Sequence, residues 1–118
     1  MDQAYIPTTG HALALSYLTS DLAWVGVNIE SAYVILAGFD SSDEMGFVLA
    51  YNKLFTVHLN DQNGLKFDED KSFGSVDLRR AFNQVRMLDA YPTPGSTCQG
   101  PATSVLVGFG WLGGWRGE

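Results

Sequence analysis

The chain has 118 residues, room for one domain with a modest core. Apolar residues make up 46% and charged residues 17%, and 13 acidic against 7 basic side chains leave a net charge of -6. That balance excludes extended disorder and argues against a nucleic-acid partner, because phosphates call for clustered cations and Arg79, Arg80 and Arg86 are too few.

Met1 to Gly10 (MDQAYIPTTG) has neither the basic start nor the apolar run of a signal peptide. No stretch is apolar for long enough to cross a membrane, so a cytoplasmic protein is expected. Cys98 is the single cysteine, which rules out an internal disulfide and Cys-based zinc motifs. After Pro7 to Gly10, His11 to Leu18 has helical spacing, with Ala12, Leu15, Tyr17 and Leu18 expected on its inner side. Ser20 and Asp21 close it. Trp24 to Ile29 (WVGVNI) is a nearly continuous apolar run, the pattern of a parallel strand covered on both faces.

Ser31 to Ala37 forms a second expected helix, ended by Gly38. A third runs from Glu44 to Asn52, with Ser41, Ser42 and Asp43 as candidate caps. Lys53 to Leu59 (KLFTVHL) is the next strand. An acidic loop follows, and Val76 or Asp77 opens a helix to Leu88, where Leu78, Phe82, Val85 and Leu88 form one apolar stripe. Strands alternating with helices indicate βα units and a parallel α/β sheet.

From Tyr91 onward come three of the four prolines, seven of the thirteen glycines and two of the three tryptophans. Val105 to Phe109 can be a strand. The remainder lacks periodicity, and Trp111 and Trp115 need an apolar home, in this chain or in another. We therefore separate residues 1–90 from a Pro/Gly/Trp-rich tail, 91–118.

Candidate chemistry lies at the strand ends. Glu30 follows the first strand and His58 ends the second, and in parallel α/β architectures ligands gather at those carboxyl ends. Asp68 and Asp70 are two apart, so an extended segment points both the same way. One imidazole with three carboxylates suits Mn²⁺, Mg²⁺ or Co²⁺ better than a structural zinc. The simpler readings are a solvated acidic loop and a strand-end histidine bound to backbone. An EF-hand fits poorly, because placing Gly64 at the loop glycine puts Leu59 at the first ligand position.

Over Tyr5 to Leu88 the chain resembles the later part of a xylose-isomerase-like (β/α)₈ barrel. Glu30 in VGVNIESAY takes the place of the family's strand-six glutamate. HLNDQNGLKFDEDKSFG resembles the strand-seven end and its loop in spacing. His58 stands at the strand-end ligand, Asn60 at an asparagine, Asp68 and Asp70 at paired aspartates, and Phe73–Gly74 at the closing pair. The family histidine three residues after the glutamate is replaced by Tyr33, a poor ligand while neutral. A whole barrel takes roughly 250 residues. The resemblance thus implies a fragment holding about strands six and seven, with a remnant metal site at Glu30, His58, Asp68 and Asp70. The strand-five ligand, lysine and catalytic histidine of the family have no counterpart. A fragment of this kind is expected to be inactive alone, truncated at both ends, and to carry an out-of-frame tail. Its open sheet edges, one apolar sheet face and the Trp-containing tail imply a homo-oligomer, with a sugar substrate only if a complete site assembles. The competing expectation is a self-assembling module with no metal chemistry.

Overall fold

The computed structural model describes residues 5–64, 69, 71–90 and 106–109, the last four as backbone only. In chain order the elements are α1 (Thr9–Tyr17), β1 (Val27–Glu30), α2 (Ser31–Leu36), α3 (Ser41–Ala50), β2 (Leu54–Leu59), α4 (Leu78–Asp89) and β3 (Leu106–Phe109). The three strands form one parallel sheet in the order β1-β2-β3, with helices packed on it. Among the described residues no helix is long and apolar enough to cross a membrane.

Three of the four described helices, α1, α3 and α4, begin where an N-cap side chain satisfies their first free amides. Thr8 accepts from the amide of His11, Asp40 from those of Ser42 and Asp43, and Asp77 from that of Arg80. The cap of α3 is therefore Asp40, one residue before the serines expected in that role. Gly38 follows α2 at a φ of 84°, a left-handed conformation that halts the helix at little cost only for glycine.

The core comes from one face of the sheet. Val27 and Ile29 of β1 meet Leu54, Val57 and Leu59 of β2, and Leu13, Val34, Met45 and Val48 of the helices close over them. Burying each of these side chains stabilises the fold by about 1.5–3 kcal/mol relative to leaving it in water. The register shifts between Val27, opposite Leu54, and Asn28, opposite Thr56, so β2 carries one extra residue there. Beyond that bulge Ile29 pairs with Val57 inside, and Glu30 pairs with His58 on the other face.

Three expectations need correcting. The run 24–29 is not a strand covered on both faces. Its strand begins only at Val27, and Trp24 is 81% exposed. The reason is Lys53, whose Nζ donates to the carbonyls of Leu22 (2.5 Å) and Val25 (2.8 Å) and so holds that segment as a loop. Nor is the second face of β1 and β2 apolar. It carries Asn28, Glu30, Thr56 and His58, all at least partly exposed.

The helix stripes also face differently from their periodicity. On α1, Thr9, Leu13 and Ser16 are buried and Ala12 packs on the core as expected, whereas Leu15, Tyr17 and Leu18 are half-exposed or exposed. On α4 the buried residues are Ala81 and Gln84; of the expected stripe Leu88 is partly buried against the core, whereas Leu78, Phe82 and Val85 point outward. A hydrogen bond explains the burial of Ser16 and of Gln84. The Ser16 hydroxyl donates to the Leu13 carbonyl, and the Ser31 hydroxyl donates to Gln84 Oε1 at 2.6 Å. In the tail, β3 forms at Leu106–Phe109 within the expected strand and pairs with β2. Trp111 and Trp115 lie outside the described residues.

Candidate functional site

The parallel register sets the geometry of the site. Because Glu30 is the partner of His58 across β1 and β2, both side chains leave the sheet at its carboxyl edge and on its polar face. His58 Nδ1 lies 3.9 Å from Glu30 Oε2, with the histidine side chain 47% exposed and the glutamate 25%. This is the juxtaposition that the strand pattern leads one to expect.

Asn60 ties the pair to the frame. Its Nδ2 donates to Glu30 Oε1 at 3.1 Å, and its Oδ1 accepts from the Ala32 amide at 2.7 Å. The second bond spans from the end of β2 to the first turn of α2. Asn60 is only 1% exposed, so it is a fixed strut that holds Glu30 at the rim. Tyr33, where the family pattern has a histidine, sits on α2 and is half-exposed.

The loop after β2 is organised by a residue that sequence reasoning missed. Asp61 is 2% exposed and gathers four donors. These are the amides of Gln62 (2.9 Å), Val76 (2.9 Å) and Asp77 (3.1 Å), and Arg80 Nη2 at 2.7 Å. Burial pushes this carboxyl up. The Asp77 amide, the Arg80 guanidinium and the Val76 and Gln62 amides outweigh it and hold Asp61 below the usual carboxylate range. Asp40 behaves alike: burial raises it, but the Ser42 hydroxyl, the amides of Asp43 and Ser42 and the charge of Arg80 bring it lower.

Further along, Asp61 and Lys71 exchange backbone hydrogen bonds, which closes the loop at its base. Buried Gln62 accepts from the amide of Glu69, whose carboxylate accepts from the Asn63 amide and pairs with Lys71 at 3.7 Å. Lys53 was missed as well. It is buried, and its Nζ lies 5.0 Å from the Tyr17 ring centre besides capping two carbonyls. The available signal was a polar side chain at the edge of an apolar strand, which applies to Lys53 directly before β2 and to Asp61 two residues after its end.

Asp68 and Asp70 lie outside the described residues. Among the described residues no three His, Cys, Asp or Glu side chains come together as a metal-binding group. The site residues that the structure does bring together are Glu30 and His58, with Asn60 behind them. A carboxylate and an imidazole on one rim could supply two donors to a divalent cation of borderline hardness, and two further oxygens would be needed to complete such a site. No protein-family model matches the chain.

Proposed function

We propose that the chain is a segment of a xylose-isomerase-like barrel that keeps a remnant divalent-metal site and has no isomerase activity by itself. Glu30 and His58 would hold Mn²⁺, Mg²⁺ or Co²⁺ together with Asp68 and Asp70, and Asn60 would orient Glu30. The observation that carries this reading is the pairing of Glu30 with His58 at adjacent parallel strand ends, 3.9 Å apart on a polar sheet face. A bound cation would supply Lewis acidity toward a sugar hydroxyl or carbonyl. The chain's own residues do less: they hold the cation and keep one carboxylate fixed. Turnover also needs the substrate oriented in a water-poor pocket, and an open three-stranded sheet does not wall one off. We also propose that the segment self-associates through its sheet edges and its Trp-containing tail.

Calorimetric titration with Mn²⁺ tests the metal site. Wild type should bind, and Glu30→Gln/His58→Ala and Asp68→Ala/Asp70→Ala should each abolish the heat. A wild type that gives no heat sinks the reading. A second reading, a self-assembling module without metal chemistry, is favoured by the outward apolar stripe of α4. It predicts association with no response to Mn²⁺.

A further inference from the structure

The helix with the clearest apolar stripe in the chain turns three of its four residues to solvent and packs only Leu88 on the core. On α4, Leu78, Phe82 and Val85 are 76%, 64% and 49% exposed, while Ala81 and Gln84 face the body. Spacings of four and three put the three exposed residues in one row. A row of large apolar side chains in water marks an interaction surface. We propose that this stripe is an interface between two copies of the chain, with α4 packed antiparallel on α4 of a second copy about a two-fold axis beside Phe82.

Charge and symmetry select a second copy as the occupant. A two-fold axis centred on the stripe sets Leu78 against Val85 of the second copy and brings the two Phe82 rings together. The same register sets Asp77, the exposed cap at the start of α4, against Arg86, exposed in its last turn. The centre of the apolar row and the centre of the opposite charges therefore coincide, and the ion pair forms twice. Arg79 falls opposite Gln84, whose side chain is turned into the body, and Asp89 falls opposite Gly74, so no like charges are set against each other. Antiparallel helices also place the positive end of each dipole beside the negative end of the other. The contact is self-complementary and closes at two copies. It is one helix long, so the dimer is weak and depends on concentration. It adds an interface to the self-association proposed above and involves none of the metal residues, so a failed Mn²⁺ titration leaves it standing.

Sedimentation velocity over a range of chain concentrations tests it. The full chain should show a monomer–dimer equilibrium, and Phe82→Glu should be monomeric with an unchanged far-UV circular dichroism spectrum. Arg86→Glu should weaken dimerisation about tenfold, the size expected when two exposed ion pairs are replaced by repulsions. In a Cys98→Ser background, mixed Leu78→Cys and Val85→Cys chains should form a disulfide dimer on oxidation, more readily than either chain alone. A wild type that stays monomeric at the highest concentration overturns the proposal. So does an association that Phe82→Glu leaves intact, which would assign it to the sheet edges, and so does the absence of preferential mixed cross-linking.

Discussion

Asp61 holds more of this structure in place than either residue of the Glu30–His58 pair. Its carboxylate caps the amides leading into α4 and meets Arg80, whose side chain is 19% exposed. Asp61→Asn keeps the shape but leaves the guanidinium largely buried without its counter-charge. We expect a loss of about 3 kcal/mol at neutral pH, read by urea unfolding. The pH dependence has a definite sign. A carboxyl with a lowered folded-state pKa contributes its full stability above the unfolded value of about 4, and loses it as pH falls through the lower folded value. The gap between wild type and Asp61→Asn should therefore be constant from neutrality down to about pH 4 and narrow below it. A gap unchanged in strong acid would show that the Arg80 pair contributes nothing.

At the scale of elements, Gly26 leaves room for the Phe55 ring where β1 meets β2. A Cβ built there would run into the Phe55 ring of β2, next to the register shift. Gly26→Ala should lower stability by about 1–3 kcal/mol, the usual cost of overpacking, while Phe55→Ala in the same chain should relieve part of it. A double-mutant cycle in urea measures this, and additive losses would mean the ring moves aside freely. The same contact shows why boundaries were harder to read than elements. The helices and strands were legible because caps, glycines and apolar runs are local signals, and Asp77 or Gly38 needs no partner to act. What failed was the facing of the helices. Periodicity groups Leu78, Phe82 and Val85 together but is silent about which neighbour they meet, and the buried side of α4 is set by Ser31 reaching Gln84 from fifty-three residues away. Of the candidate site, Glu30 and His58 were legible because parallel register follows from strand order. Asn60 was legible only as a position in a resembling loop, and its bonds to Ala32 and Glu30 come from tertiary contact.

For the whole molecule, stability should be graded outward from β2. That strand pairs on both sides, and its Leu54, Val57 and Leu59 are at most 2% exposed. α4 buries two residues, and the Asp61 clasp joins it to the loop before it. Regions with few buried apolar contacts open below the global unfolding free energy. Native-state hydrogen exchange at low chain concentration should therefore show the β2 amides exchanging only through global unfolding, with α4 opening first. Asp61→Asn should speed α4 exchange further. Raising the concentration of wild type should slow α4 exchange selectively if its stripe is covered by a second copy, because binding stabilises the element that it needs folded. If α4 matched β2 in protection when dilute, the helix would be held by contacts that Leu78, Phe82 and Val85 do not make within the monomer. If concentration slowed every element equally, association would be linked to global folding, as expected for copies joined through the sheet itself.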